Sequence, residues 1–135
     1  MLIVEGMLKR MEMVISMPEL REKLWHNVNR LQQGLKDRGF DIGNTNSPVT
    51  PIYMKGDVPE ATQMVMDLRE NYHIFCSIVV YPVIPKGDII YRLIPTAAHS
   101  DADIDETLAA FEAVKKKLDT GMYKAADIPD MAEKM

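Results

Sequence analysis

The chain has 135 residues, with 16 Lys plus Arg against 20 Asp plus Glu and a formal charge of -4. It is long enough for one domain with a real core, and it carries no basic field that would draw nucleic acid or an anionic membrane. The single cysteine, Cys76, excludes an internal disulfide and fits a reducing, cytoplasmic setting. His26, His73 and His99 are far apart in sequence and no Cys/His spacing matches a zinc site, so no metal ligand is assigned.

The N-terminal stretch is apolar, but Glu5, Lys9, Arg10 and Glu12 interrupt any span long enough for a signal sequence or an inserted membrane helix. Val4, Leu8, Met11 and Ile15 recur at helical spacing, and Ile3, Met7 and Val14 widen the stripe, so this helix needs partners on more than one side. Ser16 to Glu19 has the Ser-x-x-Glu form of a capping box with Pro18 in the first turn, which predicts a kink or short break and then a new helix. Leu20, Leu24, Val28, Leu31 and Leu35 form the stripe of that second helix, and Gly39 with Phe40 supplies its stop.

A turn-rich stretch at 41–48 leads into a short β-branched run at 49–54, where Pro51 predicts a short strand or one near a sheet edge. Asp57 or Val58 caps a helix carrying Ala61, Met64, Val65 and Leu68 on one face, with Pro59 near its start. The continuous run at 73–81 suits a strand covered on both faces, and a proline-bracketed loop separates it from another strand beginning at about Ile89. Ser100 caps a last helix, acidic at its start (Asp101, Asp103, Asp105 and Glu106) and basic at its end (Lys115, Lys116 and Lys117), with Ile104, Leu108, Phe111, Val114 and Leu118 inward. The last two strands are expected to pair as antiparallel neighbours, giving a two-layer α+β domain with helices on one side of a small sheet.

One residue interrupts this plan. Alternation puts Ile89, Tyr91 and Leu93 on one face of the last strand and Ile90, Arg92 and Ile94 on the other, so a permanent charge stands among isoleucines. Either the face lies near an edge and Arg92 reaches water or a nearby carboxylate, or its planar fork waits for an anionic ligand. The small residues after it, Pro95 to Ala98, allow close approach. Simple packing accounts for the alanines equally well, and a hydrogen bond near the next helix start accounts for His99.

Three ordered motifs bear on the choice: Leu24-Trp25-His26-Asn27; Ser47-Pro48 followed by Pro51; and Tyr81-Pro82 with Pro85 and Gly87, leading to Arg92-Leu93 and Thr96 to His99. Over roughly residues 1–119 the chain resembles the C-terminal part of the α-oxoamine synthases. These are pyridoxal-phosphate (PLP) enzymes of the aspartate aminotransferase fold, among them 8-amino-7-oxononanoate synthase, glycine C-acetyltransferase, 5-aminolevulinate synthase and serine palmitoyltransferase.

The resemblance implies that residues 1–17 end an interdomain helix, 18–119 form the small C-terminal domain and 120–135 a loosely packed tail. It implies that Arg92 binds the substrate carboxylate and that Tyr81 and Pro82 belong to an active-site loop. The cofactor lysine, the acidic partner of the pyridine nitrogen and the phosphate site belong to a preceding large domain. No catalytic or cofactor-binding residue is therefore assigned here, and Lys55 and Lys86 lack the expected neighbours.

The parent enzyme, a homodimer, would condense an amino acid with an acyl-CoA and release carbon dioxide, oxononanoate synthase ranking first among the relatives. The fragment alone would be inactive, and residues 1–15 would pack on the large domain or, if bare, self-associate. The alternatives are an independent α+β ligand-binding or regulatory module without enzyme activity, in which Arg92 sits in a surface ion pair, or a dimerisation domain.

Overall fold

Alternation along residues 88–93 sorts the chain into two layers. The computed structural model describes residues 2–123. In chain order the elements are α1 (Leu2–Ser16), α2 (Pro18–Asp37), β1 (Thr50–Lys55), α3 (Val58–Tyr72), β2 (Ser77–Val79), β3 (Asp88–Leu93) and α4 (Asp101–Asp119). The sheet order is β1-β3-β2, with β3 antiparallel to both neighbours. Ile89, Tyr91 and Leu93 of β3, with Ile52 of β1, are buried against Leu31 and Leu35 of α2, Met64 and Leu68 of α3, and Phe111 and Val114 of α4. The opposite face, with Pro51, Tyr53, Val79, Ile90 and Arg92, is half-buried or exposed. This is the expected two-layer α+β arrangement, and β1 is an edge strand, as Pro51 implies.

The local stops and starts follow from their residues. Helix α2 ends in a Schellman arrangement: Gly39, at φ +72, donates its N–H to the Lys36 carbonyl, and Phe40 donates to Leu35. A residue without a Cβ takes that left-handed turn at no steric cost, and Phe40 then drops into the core. Asp57 with Glu60 and Ser100 with Asp103 form reciprocal capping boxes at the starts of α3 and α4. Helices α2 and α4 approach closely at Gly34, where an added Cβ would meet Leu108.

Three expectations change. Ser16 does not cap α2. The helical ladder of α1 continues through it, with Met17 N–H donating to Met13, and the non-helical residue is Met17, which makes no side-chain cap. Pro18 clashes with a helical residue before it, so the break falls on Met17.

The run at 73–81 keeps only Ser77–Val79 as strand, all half-buried. Its first residues instead close α3, with His73 left-handed at φ 56 and Ile74 N–H donating to Leu68, and β2 is an edge strand paired only with β3. The segment after α4 does not begin loose: Tyr123 is buried and its hydroxyl donates to Asp67. Residues 124–135 of the expected tail lie outside the described residues.

Helix α1 finds few partners. Ile3, Val4, Met7, Leu8, Met11, Val14 and Ile15 are all exposed, Ile15 at 80% and Ile3 at 77%. The two-faced stripe is present, but among the described residues little covers it.

Polar side chains on α2 tie distant segments together. Asn27, fully buried, donates both Nδ2 hydrogens at 2.9 Å, one to the Thr96 carbonyl and one to the His99 carbonyl. Gln32 donates to the Ser47 carbonyl at 3.0 Å and to the Thr50 hydroxyl at 3.1 Å. Arg30 meets the Asp105 carboxylate through two nitrogens, at 3.0 and 2.7 Å. Asn27→Ala leaves two carbonyls of the 96–99 turn without donors and is expected to cost about 2 kcal/mol. Thermal unfolding measures the loss, and an unchanged midpoint contradicts it.

A second tie holds α3 to α4. Burial pushes the Asp67 carboxyl up, but hydrogen bonds from Lys117, Tyr123 and Asn71 outweigh it and hold the group below its ordinary value of 3.8. A depressed folded-state pKa gives stability that is full above the ordinary value and is lost as pH falls through the folded one. Asp67→Asn is therefore expected to destabilise the chain by about 1–3 kcal/mol at pH 7. The gap between wild type and variant should shrink below about pH 4, as urea titrations at pH 7 and pH 3 would show.

Candidate functional site

Arg92 lies on β3, the central strand, where the ladder opposes it to Pro51 of β1 on one side and Ser77 of β2 on the other. Opposed residues point to the same face, so these three side chains stand together on the face the helices leave open. Pro51 offers no hydrogen-bonding side chain. Ser77 does: Arg92 donates its Nε–H to the Ser77 Oγ at 3.1 Å. Among the described residues no carboxylate pairs with Arg92, and its two terminal Nη groups have no partner. A guanidinium held at Nε with both Nη groups free presents the fork that matches a carboxylate.

Arg92 lies on the central strand and not at an edge, since β1 and β2 are the edges of the sheet. The turn after β3 is fixed from three directions. Asn27 holds its Thr96 and His99 carbonyls, and Thr96 N–H donates to His99 Nδ1 at 2.9 Å. Ser100 then starts α4. Asn27 therefore joins the first motif of the sequence to the third, and Gln32 joins the same helix to the second.

Tyr81 and Pro82 lie elsewhere on the sheet. Their loop leaves the ladder at Val80, three residues and roughly 10 Å from Ser77, and crosses a cis Tyr81–Pro82 peptide in a turn closed by Val83 N–H on Val80. Tyr81 is exposed, as is Val83 at 78%. Arg92 and this loop thus share a sheet but not a contact point.

An open groove of about 510 Å³ lies between the end of α3, the end of β3 and the start of α4, lined by Phe75, Ile94, His99, Asp103 and Glu106 among others. Among the described residues neither Arg92 nor any lysine lines it, and its two carboxylates disfavour an anionic ligand. Among the described residues no group of three His, Cys, Asp or Glu could hold a metal ion. Cys76 is buried, and desolvation raises its thiol to about 11, so it is no nucleophile at neutral pH.

Sequence reasoning singled out Arg92 but not its hydrogen-bond partner Ser77, nor the tie made by Asn27. The signal for Asn27 was present: an amide one position from Val28 on the buried stripe of α2 must find partners. No local pattern pairs Ser77 with Arg92, because that contact depends on strand register.

No family model matches the chain. It is 65% identical over 125 residues to the cysteate-C-fatty acyltransferase of Capnocytophaga ochracea, an alignment covering 93% of the chain and 30% of that protein. It is 35% identical over 116 residues to the 8-amino-7-oxononanoate synthase of Symbiobacterium thermophilum, covering 86% of the chain and 29% of the relative. Among solved structures it matches serine palmitoyltransferase from S. paucimobilis with PLP and myriocin bound. The TM-score is 0.71 at 26% identity, over 81% of the chain and 27% of that structure. The chain thus spans less than a third of the length of these relatives. By sequence and by fold alike, the chain matches the C-terminal portion of the PLP-dependent α-oxoamine synthases.

Proposed function

We propose that the chain is the C-terminal domain of a cytoplasmic, homodimeric acyltransferase that condenses an amino acid with a fatty acyl-CoA and releases carbon dioxide, and that Arg92 receives the amino-acid carboxylate. The observation that carries this reading is the free guanidinium fork on the central strand, unpaired among the described residues and facing away from the helices. A surface ion pair would need a carboxylate partner, and the salt bridges of the described residues leave Arg92 out. The 65% identity to a cysteate-C-fatty acyltransferase, against 35% to an oxononanoate synthase, moves the favoured substrates from the expected oxononanoate precursors to cysteate and a fatty acyl thioester.

PLP supplies an electron sink for a carbanion at the α-carbon, and the described residues do not themselves fit it. Lys9, Lys55, Lys116 and Lys117 are engaged with carboxylates, Lys115 donates to the Gly39 carbonyl, and Lys23, Lys36 and Lys86 are exposed. No glycine-rich phosphate cradle accompanies any of them. Cofactor and proton transfer belong, in this reading, to a large domain that packs on the exposed stripe of α1. What this domain contributes is binding and orientation: Arg92 holds the carboxylate in place, and the Tyr81–Pro82 loop borders the site from the other end of the sheet.

In the full-length protein, Arg92→Gln is expected to raise the amino-acid KM on the order of a hundredfold and to leave the acyl-CoA KM unchanged. An unchanged amino-acid KM rejects the carboxylate role. The isolated 135-residue chain is expected to show no saturable absorbance band of lysine-linked PLP at micromolar cofactor. A stoichiometric band would show that the chain holds the cofactor by itself.

A further inference from the structure

The guanidinium of Arg92 can meet a carboxylate in two planar ways: side-on through Nε and one Nη, or end-on through both Nη groups. The structure distinguishes them. Ser77 stands directly opposite Arg92 in the β2–β3 register, and its Oγ accepts the Nε–H at 3.1 Å. Ser77 is half-buried on a strand, so its Cβ direction is set by the backbone rather than by solvent. On the other flank Pro51 presents only a hydrocarbon ring, which offers no competing acceptor. With Nε taken, the plane of the fork is fixed about the Cδ–Nε bond and only the two Nη groups remain for a ligand.

We propose that Ser77 is a positioning residue for substrate binding, which occupies Arg92 Nε and so commits the guanidinium to end-on capture of the substrate carboxylate. The proposal rests on the carboxylate role of Arg92. Ser77 touches no reacting atom, and its effect passes through the arginine. Without the hydroxyl the side chain keeps its charge but samples more rotamers, so the loss falls on ground-state affinity for the amino acid and not on the acyl donor or the chemical step.

The test uses the full-length protein and four variants. Ser77→Val removes the hydroxyl and gives a β-branched side chain suited to a strand, and Ser77→Thr has the same branching but keeps the hydroxyl. Ser77→Val is expected to raise the amino-acid KM about five- to tenfold, with kcat, acyl-CoA KM and melting midpoint unchanged, and Ser77→Thr to restore the wild-type value. Ser77→Val combined with Arg92→Gln is expected to add nothing to Arg92→Gln alone.

If Arg92→Gln impairs amino-acid binding while Ser77→Val behaves as wild type, the positioning role is wrong and the carboxylate role stands. If Arg92→Gln itself leaves the amino-acid KM unchanged, both fall. Equal loss in the Val and Thr variants, or a parallel rise in the acyl-CoA KM, marks a packing role and overturns the proposal. Ser77→Ala, the smallest change, repeats the comparison should the Val variant fail to fold, with the same outcomes deciding.

Discussion

The structure turns on one buried amide. Asn27 is fully buried on the apolar face of α2, where an unpaired polar group is costly, and its two donors are satisfied by the carbonyls of Thr96 and His99. Those carbonyls bracket the turn between the central strand and the last helix. A single side chain thus fixes where β3 ends, where α4 begins and how both lie against α2. Arg30 pairing with Asp105 one turn along α2 reinforces the same junction from the solvent side. That ion pair is half-exposed, so it contributes less than the buried amide.

The position of Arg92 follows from this anchoring. A three-stranded sheet with helices on one side must leave its other face open, and alternation sends every second residue of β3 there. The inward residues Ile89, Tyr91 and Leu93 lock the register, because a one-residue slip would bury the guanidinium among them and expose the tyrosine. Arg92 is therefore held by the core without belonging to it. Gln32 acts similarly on β1, fixing the Ser47 carbonyl and Thr50 hydroxyl beside the strand that carries Pro51.

Features that were legible in the sequence are those decided within a few residues. The caps at Asp57 and Ser100, the stop at Gly39 and Phe40, the edge strand with Pro51 and the face of Arg92 all depend on local chemistry or on period-two alternation. What stayed hidden depends on contacts made across long separations. Ser16 has the letters of a cap, but whether it caps is settled by the helix that runs through it. The run at 73–81 has strand composition, but a ladder needs a partner, and β3 supplies one for three residues only. Tyr123 looked like tail until Asp67, 56 residues earlier, accepted its hydroxyl. The family resemblance singled out Arg92, whereas its hydrogen-bond partner Ser77 became visible only with the strand register.

Electrostatics then bears on how such an arginine becomes useful. Two unit charges 4 Å apart attract by about 1 kcal/mol in bulk water and by about 4 kcal/mol at the effective dielectric of a protein surface. On the open face of this sheet Arg92 is exposed, and water competes for both Nη groups. Its grip on a carboxylate grows only if apolar surface closes over it. The chain carries surface suited to such a cover: Ile94 beside the arginine, Tyr53 on the neighbouring strand, Tyr81 and Val83 on the loop and the bare stripe of α1 are all exposed. Under the proposed function these are two aspects of one constraint, since the apolar residues that need burial and the charge that needs desolvation are served by the same covering domain. An arginine pre-oriented by Ser77 would meet its ligand with little further ordering at the moment that cover forms.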